Sequence, residues 1–384
     1  MSPGRPRTRR PHRGGDVIAL GRSRRRANGH ARQPDADEDA AIVFDRVSVV
    51  FGERRAEALA RADEGQGRER ILEETGAVLG VHDASLTVAP GEVLALMGLS
   101  GSGKSTLLRA VNGLAPVARG EVRVRAEGGL VPVTGASPRD LRRLRARTVA
   151  MVFQQFGLLP WRTVAQNVGL ALEFSGVPKE ERAEAVRRQL ELVGLADRAG
   201  APVSELSGGM QQRVGLARAL ATDAPILLMD EPFSALDPLI RTRLQDELLS
   251  LQERLQRTIL FVTHDLDEAL RLGDRIAIME GGRVVQVGTP SEIVSDPATP
   301  YVEDFVAHMN PLGVLTAGDL AEPGLAPGEP APGGTPVGEL VARLAGCEAV
   351  PVETGGVVTR ERLLRHLAGA GAQARAARPS RRAS

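Results

Sequence analysis

Residues 98–105 limit the possible folds more than any other segment. They read GLSGSGKS and follow EVLALM, a mainly apolar run at residues 92–97. Such a run predicts a strand buried on both faces, and the apolar spacing of residues 103–114 predicts a helix. A glycine-rich turn between a strand and a helix directs backbone N–H groups and the positive helix end at one place. The segment therefore predicts a phosphate-binding loop in an α/β domain.

The phosphate loop, residues 98–106, contains a lysine in a chain that has only one other, Lys179, among its 49 Lys and Arg residues. Lys104 is expected to reach the β and γ phosphates of a nucleotide, and the Ser105 hydroxyl to ligate Mg²⁺. The nucleotide-binding residues predicted in this loop are Gly98, Ser100, Gly101, Ser102, Gly103, Lys104, Ser105 and Thr106.

A second apolar run, ILLM at residues 226–229, ends in Asp230 and Glu231. Ligands of open α/β sheets bind at the carboxyl ends of the strands, so both carboxylates are expected beside the phosphate loop. Asp230 is predicted to hold the Mg²⁺ shell, directly or through water. Glu231 is placed to orient and deprotonate an attacking water. Carboxylates at an isolated strand end are more often solvated, and the pairing with the phosphate loop favours the catalytic interpretation.

The remaining periodicity is that of a globular domain with alternating strands and helices. Strands are predicted at 42–51, 147–154 and 258–265, and helices at 178–195 and 238–255. This alternation predicts an α/β domain with a largely parallel sheet.

Composition excludes several classes of protein. The formal net charge of +1 gives no indication of nucleic-acid binding, and no segment approaches 18 consecutive apolar residues. Cys347 is the single cysteine, which excludes a disulfide within the chain. Residues 1–40 are rich in arginine without an apolar core, which predicts a disordered extension and not a signal peptide; an arginine tail on anionic lipid is the alternative. Residues 369–384 are predicted to be a disordered tail.

A second glycine-rich turn, LSGGMQQR at residues 206–213, has the form of another phosphate-directed helix start but lacks a lysine. With GLSGSGKS, FQQ, LLMDEP, SALD and VTHD in this order and spacing, it resembles the signature of the ATP-binding cassette (ABC) ATPases. The resemblance implies a RecA-like core with a helical subdomain at about 155–210 and an antiparallel β subdomain, all within residues 41–310. It also implies a head-to-tail homodimer, in which the signature of one chain closes over the ATP of the other.

Other site residues follow from this resemblance position by position. Gln154 is similar to the glutamine that senses Mg²⁺ and the attacking water, and His264 to the histidine that contacts the γ-phosphate. Asp237 is similar to an aspartate at the dimer interface, and Phe51 to an aromatic residue that stacks on adenine, although strand-end aromatics also pack into cores. The residues assigned to the partner's ATP are Ser207, Gly208, Gly209 and Gln211. The implied catalytic set is Glu231, His264, Gln154 and Lys104, and the implied Mg²⁺ set is Ser105, Gln154 and Asp230.

Two segments narrow the resemblance to glycine betaine, proline and choline uptake ATPases, and most closely to choline-type members. The first is the charged insert at residues 52–84, which runs into ILEETGAVLGVHDAS; the second is FQQFGLLPWRTVAQNV at 153–168. Such an ATPase implies permease subunits, an extracytoplasmic substrate-binding protein acting through them, and a place on the cytoplasmic face of the membrane. Trp161 and Leu159 are candidate permease anchors, with packing inside the helical subdomain as the alternative.

The carboxyl end resembles one degenerate cystathionine-β-synthase (CBS) unit at residues 311–368, with a Pro/Gly-rich linker at 321–336. Residues 337–368 have the pattern of a small α+β unit, helix–strand–strand–helix. CBS domains normally come in pairs, and Arg362 stands three residues after Thr359, where an aspartate usually binds ribose. These departures predict a vestigial or dimerising element and not a ligand sensor.

The resemblance as a whole predicts an ATPase that powers import of choline or glycine betaine. An importer of another small solute, such as an amino acid or a sulfonate, is one alternative, because the ATPase does not touch the solute. A non-transport ABC protein that uses the same dimer as a mechanical clamp is the other, and it would lack permease association.

Overall fold

The computed structural model describes residues 39–307 and 315–364. The predicted extension before residue 39, the junction at 308–314 and the predicted tail lie outside the described residues. The strands are β1 (Ile42–Phe51), β2 (Val78–Val88), β3 (Val93–Met97), β4 (Val117–Ala126), β5 (Gly129–Pro132), β6 (Val149–Val152), β7 (Ile226–Asp230), β8 (Thr258–Val262), β9 (Arg275–Glu280), β10 (Arg283–Gly288), β11 (Ala349–Pro351) and β12 (Val357–Thr359).

The helices are α1 (Arg55–Asp63), α2 (Arg68–Thr75), α3 (Lys104–Ala110), α4 (Pro138–Arg147), α5 (Val164–Val168), α6 (Leu170–Phe174), α7 (Lys179–Leu192), α8 (Gly208–Leu220), α9 (Pro238–Leu255), α10 (Leu266–Leu272), α11 (Pro290–Ser295), α12 (Pro300–Val306), α13 (Ala317–Leu320) and α14 (Val337–Gly346). Short 3₁₀ helices span Ala196–Arg198 and Val203–Glu205. Within the two described ranges, no helix is long and apolar enough to cross a membrane.

The central sheet has six strands in the order β10-β9-β3-β8-β7-β6, and all neighbours except β10 and β9 run parallel. Along β3, Ala95 and Met97 belong to one apolar core, whereas Leu94 and Leu96 belong to another. The strand is thus buried on both faces, which explains why its sequence is continuously apolar and does not alternate. Strands β3, β8 and β7 are neighbours, so the segments that follow them meet at one edge of the sheet.

A second, antiparallel sheet has the order β2-β1-β4-β5. Ile42 and Phe44 of β1 share an apolar core with Leu107 and Leu108 of α3 and with Leu94 of β3. Helix α3 therefore packs with both sheets, and this packing fixes the direction of the phosphate loop that precedes it.

The insert between β1 and β2 forms α1 and α2 and has a core of its own. Leu59 and Ile71 pack there with Val50 and Leu79 of the two flanking strands. Gly76 ends α2 in the left-handed conformation at a φ of 68°, which glycine adopts without steric cost. The charged insert is therefore a helical pair held against the antiparallel sheet.

A helical arm occupies the region predicted for the helical subdomain. Helices α5 to α7 and the two 3₁₀ helices lead into α8, and Val168, Val186, Leu190 and Val203 join the core beneath the central sheet. The structure thus contains the three predicted parts: an α/β core, an antiparallel β subdomain and a helical subdomain.

The residues after 314 form a small core around the β11–β12 hairpin, made by Leu315, Leu340, Val350 and Val358 among others. Helix α14 precedes the hairpin, and residues 360–364 after it are helical. The Pro/Gly-rich segment packs on this unit, because Ala331 is buried and its N–H donates to the carbonyl oxygen of residue 351 at 2.8 Å.

Candidate active site

The phosphate loop joins the carboxyl end of β3 to α3, which begins at Lys104. Gly98 has a φ of 136°, and a Cβ there would overlap the carbonyl oxygen of Met279, so this position requires glycine. The Lys104 side chain turns back over the loop, and its Nζ donates hydrogen bonds to the carbonyl oxygens of Gly98 and Leu99, both at 2.8 Å. Burial lowers the pKa of Lys104. The loop therefore holds one ammonium group beside a helix N-terminus, an arrangement suited to phosphate oxygens.

Asp230, the last residue of β7, is fully buried and accepts two hydrogen bonds from α3. Ser105 Oγ donates to Asp230 Oδ1 at 2.6 Å, and Arg109 Nη2 donates to Oδ2 at 2.8 Å. The hydroxyl and the carboxylate are hard oxygen ligands of the kind Mg²⁺ prefers, so the pair fits the predicted ion. Arg109 was not predicted; it lies one helical turn after Ser105, on the same face of α3.

Glu231 is the point where predicted catalytic residues meet. Gln154 Nε2 donates to Glu231 Oε2 at 3.1 Å, and His264 Nδ1 lies 3.6 Å from Oε1. Gln154 and His264 follow β6 and β8, which are the two neighbours of β7 in the sheet, and this explains why they flank Glu231. The backbone of Glu231 is left-handed at a φ of 49°, a conformation that costs a residue other than glycine about 1–3 kcal/mol.

Gln212 supports this strained turn and was not predicted. Its side chain is buried in α8, where Nε2 donates to the carbonyl oxygen of Glu231 at 2.8 Å. Its Oε1 accepts the N–H of Ala235 at 2.9 Å. The amide is thus bonded through both of its polar atoms to the turn after β7, and it connects α8 to the backbone of Glu231.

The signature segment, residues 206–213, is the second glycine-rich turn and begins α8. Ser207 caps the helix, since its Oγ accepts the N–H of Met210 at 3.4 Å. Ser207 and Gly208 are exposed, and a Cβ at Gly208 would meet no atom closer than 3.9 Å. Gln211 Nε2 donates to carbonyl oxygens in the turn before the helix, at 3.1 and 3.2 Å. In the single chain this helix start is therefore open to solvent.

Phe51 and Asp237 lie at the ends of other elements. Phe51 ends β1 and is 39% exposed. A Cβ at Gly80 would lie 3.1 Å from the Phe51 ring and 3.0 Å from Thr106 Cγ2, so the ring lies close to the start of α3. Asp237 caps α9, with its Oδ1 accepting a backbone N–H at 3.0 Å.

Comparison with known proteins identifies the family. The model of the ABC transporter family matches residues 81–234. The glycine betaine/proline betaine transport system ATP-binding protein ProV of Escherichia coli (strain K12) is 52% identical over 272 residues, which cover 71% of this chain and 67% of that protein. The chain belongs to the ABC transporter ATP-binding proteins. The choline transport ATP-binding protein OpuBA of Bacillus subtilis (strain 168) is 42% identical over 227 residues, covering 59% of this ABC protein and 58% of that one.

A solved structure extends the similarity to the fold. It is a dimeric post-hydrolysis state of the ATP-binding cassette MJ0796 bound to ADP and Pi, and it is 29% identical with a TM-score of 0.56. The similarity covers 65% of this chain and 98% of that chain. The predicted family and cassette fold are therefore confirmed, and as a member of this family the ABC protein binds and hydrolyses ATP.

Glu268 is a buried acid beside the turn that carries His264 in this ABC ATPase. Burial raises the pKa of Glu268 to about 7. Thr263 Oγ1 donates to Glu268 Oε2 at 2.5 Å and accepts the N–H of Asp265 at 3.0 Å. Asp265 in turn caps α10 by accepting the N–H of Glu268 at 3.2 Å. These bonds fix both sides of His264.

Proposed function

We propose that this ABC ATPase powers uptake of glycine betaine or a related quaternary amine such as choline. The observation that supports the proposal most strongly is the 52% identity to the E. coli glycine betaine/proline betaine protein. The identity to the B. subtilis choline protein is lower, at 42%. The insert that forms α1 and α2 agrees with both, because the resemblance in sequence to quaternary amine uptake ATPases rests partly on that segment.

ATP hydrolysis would use the groups that follow β3, β6, β7 and β8. Lys104 and the N–H groups of the phosphate loop bind the phosphates. Glu231 accepts the proton of the attacking water, and Gln154 orients its carboxylate through the 3.1 Å hydrogen bond. His264, whose Nδ1 lies 3.6 Å from Glu231 Oε1, would contact the γ-phosphate.

Mg²⁺ is the metal that this site would take. Ser105 and Asp230 would hold it, and the side chain of Gln154 would complete the protein's contribution. When bound, Mg²⁺ neutralises charge that develops on the β and γ phosphates. Arg109 binds the other oxygen of Asp230, so it compensates the charge of the buried carboxylate and keeps Oδ1 directed at Ser105.

A second copy of the chain completes each site in this proposal. Ser207, Gly208, Gly209 and Gln211 of one copy contact the γ-phosphate held by the other. Two phosphate loops and two signature segments then form two equivalent sites, as a twofold dimer requires. The dimeric state of the similar MJ0796 cassette supports this arrangement. Phe51 would stack on adenine, and Asp237 would lie at the interface between the copies.

The permease would dock on the helical arm, which places the protein at the cytoplasmic face of the membrane. Trp161 and Phe174 are 76% and 78% exposed, and an ion pair between Arg162 and Glu173 at 2.8 Å holds their segments together. Asn167 is fully buried, and it accepts the N–H of residue 159 at 2.8 Å, so it fixes the loop that presents Trp161. Leu159 itself is partly buried, which favours packing in the arm. An extracytoplasmic substrate-binding protein would deliver the solute to the permease.

The carboxyl-terminal unit is proposed to be structural. Thr359 Oγ1 donates to Glu322 Oε1 at 2.8 Å, and Arg362 Nη1 lies 3.7 Å from Glu322 Oε2. Groups at the predicted ribose position are thus bonded to a carboxylate of the same unit. Binding of labelled adenine nucleotides to the full Lys104→Ala chain tests this, with the Lys104→Ala, Thr359→Ala double variant as control. Saturable binding that the second substitution removes would overturn the proposal.

Uptake of labelled glycine betaine and choline, at low and high osmolarity, tests the substrate. Cells carry the wild type, Lys104→Ala, or Lys179→Ala as a matched control, because Lys179 is the other lysine and is exposed at the start of α7. We expect Lys104→Ala to abolish uptake of one or both solutes and Lys179→Ala to leave it unchanged. If neither solute depends on Lys104, the proposed substrate is wrong, and an importer of another solute, such as an amino acid or a sulfonate, or a non-transport ABC protein takes its place.

A further inference from the structure

Arg68, the first residue of α2, connects the insert to the phosphate loop. Its guanidinium donates three hydrogen bonds, all to backbone carbonyl oxygens. Two acceptors, Leu79 and Gly80 at 2.6 and 2.7 Å, lie in β2. The third is Gly101, in the middle of the phosphate loop, at 2.5 Å. One side chain of the insert therefore spans from the antiparallel sheet to the loop.

The bond to Gly101 holds one side of a peptide group whose other side is bonded within the loop. Gly101 has a φ of 78°, and a Cβ there would meet no atom within 4 Å. Because the peptide group is planar and trans, its carbonyl and the N–H of Ser102 point in opposite directions. The N–H of Ser102 donates to the carbonyl oxygen of Leu99 at 3.1 Å. Arg68 therefore secures the outer side of the turn whose inner side that hydrogen bond closes.

The bond to Gly80 secures the part of β2 on which the loop rests. A Cβ at Gly103 would overlap the carbonyl oxygen of Gly80, so the last glycine before Lys104 packs directly on this carbonyl. Next to this contact, the N–H of Gly282 donates to the carbonyl oxygen of Ser102 at 3.0 Å. Arg68 is thus the anchor on the insert side for both the middle and the end of the loop.

Arg68 is itself held in place by the packing of the insert. Ile71, in the same helical turn, is fully buried in the insert core. Burial of the guanidinium lowers the pKa of Arg68, and bonds to three carbonyl oxygens offset the cost of removing it from water. A planar guanidinium can serve three acceptors at once, which a lysine ammonium on a single flexible stem does less well.

We infer that Arg68 is a positioning residue for ATP binding: it holds the phosphate loop in its binding conformation, so the insert contributes to nucleotide affinity. The inference rests on the proposed role of residues 98–106 as the phosphate site. Without Arg68, a smaller fraction of the molecules has a competent loop, and the apparent dissociation constant for nucleotide rises in inverse proportion to that fraction. Chemistry after binding is unaffected, because Arg68 contacts none of the groups around Glu231.

The test compares Arg68→Met with Arg70→Met in the full chain. Arg70 lies on the same helix but is exposed, and its Nε donates to Glu74 at 2.8 Å. We expect Arg68→Met to raise the Kd for Mg-ADP and the KM for ATP roughly tenfold with kcat within about twofold, and Arg70→Met to change none of them. Arg68→Lys should restore part of the affinity. Thermal unfolding of each variant is followed in parallel, to confirm that each protein is folded.

Several outcomes overturn the inference. Equal Kd values for Arg68→Met and Arg70→Met would do so, as would a loss confined to kcat. A Lys104→Ala variant separates the inference from the proposal beneath it. If Lys104→Ala weakens nucleotide binding and Arg68→Met does not, only the role of Arg68 fails. If neither weakens it, the assignment of the phosphate loop fails as well.

Discussion

The two phosphate-directed helix starts of this chain, at α3 and at α8, differ in their surroundings. At α3, Lys104 is buried within the loop, and Ser105 is bonded to the fully buried carboxylate of Asp230 at the end of β7. At α8, Ser207 and Gly208 are exposed, and the serine hydroxyl only caps its own helix. The first start has its ammonium, hydroxyl and carboxylate groups within one chain. The second presents backbone and a serine hydroxyl, and the described part of the chain shows no cation bonded to it.

The difference shows what a helix N-terminus can do by itself. Its partial positive charge amounts to about half an elementary charge, and water screens this where the helix end is exposed. Helix α3 adds an ammonium group and a buried site, so it can hold phosphate in one chain. Helix α8 has no such addition, and it can only reinforce a phosphate that is already held elsewhere. This reasoning favours the composite site between two copies.

The largest effect on activity is expected from a change at Glu231, the proposed base for the attacking water. Glu231→Gln keeps the size of the side chain and an acceptor for Gln154, but the amide cannot take a proton from water. We expect ATP turnover to fall roughly 10²–10⁴-fold while ATP binding persists and a closed dimer accumulates. Steady-state ATPase, equilibrium binding and size-exclusion chromatography measure these effects. Glu253→Gln, on the exposed face of α9, is the control and should retain wild-type turnover. Normal turnover in Glu231→Gln would refute the catalytic assignment.

The comparison predicts that the helix starts of α3 and α8 serve different copies. Gly208→Asp places a carboxylate at the exposed start of α8, where the space around a Cβ is open and the fold should tolerate it. The carboxylate repels phosphate, so we expect the variant to bind ATP with its own loop but to lose turnover. Lys104→Ala should lose turnover as well, since it removes the ammonium of the loop.

Mixing these two inactive variants sharpens the test. In a head-to-tail dimer that contains one copy of each, one site has an intact loop and an intact signature segment. An equal mixture that exchanges freely should therefore recover about a quarter of wild-type ATPase activity, since half of the dimers have one working site of two. Each variant mixed with itself is the control. No recovery, despite demonstrated exchange of subunits, would show that both helix starts act within one chain.

The sequence predicted the residues that meet at the start of α3 better than the contacts that hold them in place. A strand–loop–helix pattern and a carboxylate after a buried strand imply a common sheet edge, and the structure joins Ser105 to Asp230 there by a hydrogen bond of 2.6 Å. The contacts that hold these residues in place have no comparable signal in the sequence. The left-handed turn at Glu231 has no glycine to reveal it, and Gln212 bonds to that turn across 19 positions. Arg68 reaches Gly101 only because the insert packs back on β2. Contacts of this sort depend on tertiary packing, which periodicity does not encode.

A smaller effect is expected in stability at Glu268, beside the turn that carries His264. Its folded-state pKa of about 7 lies above the ordinary value of 4.5, so the folded protein keeps a proton that the unfolded chain releases. Stability is therefore lost as the pH rises from 4.5 through 7, and the loss is complete above 7. Glu268→Gln, which stays neutral, should be more stable than wild type by about 1–3 kcal/mol at pH 8.

Denaturant unfolding of the wild type and Glu268→Gln between pH 5.5 and 8.5 measures this difference, which should grow with pH. Glu253→Gln serves again as the exposed control and should give a constant difference near zero. A difference for Glu268→Gln that shrinks as the pH rises would contradict the assigned direction of the pKa shift.

The smallest effect is expected at the other edge of the phosphate loop. Tyr301 Oη in α12 accepts the N–H of Leu99 at 3.1 Å. The acceptor is uncharged, and Leu99 is 62% exposed. In Tyr301→Phe, water can replace the lost acceptor, so we expect the KM for ATP to change less than about twofold. Arg68 has three acceptors in a half-buried site, where water replaces it poorly, and its loss should cost more. Steady-state kinetics of the two variants under identical conditions make the comparison. If Tyr301→Phe weakens ATP binding as much as Arg68→Met, then burial does not decide which anchor of the loop matters.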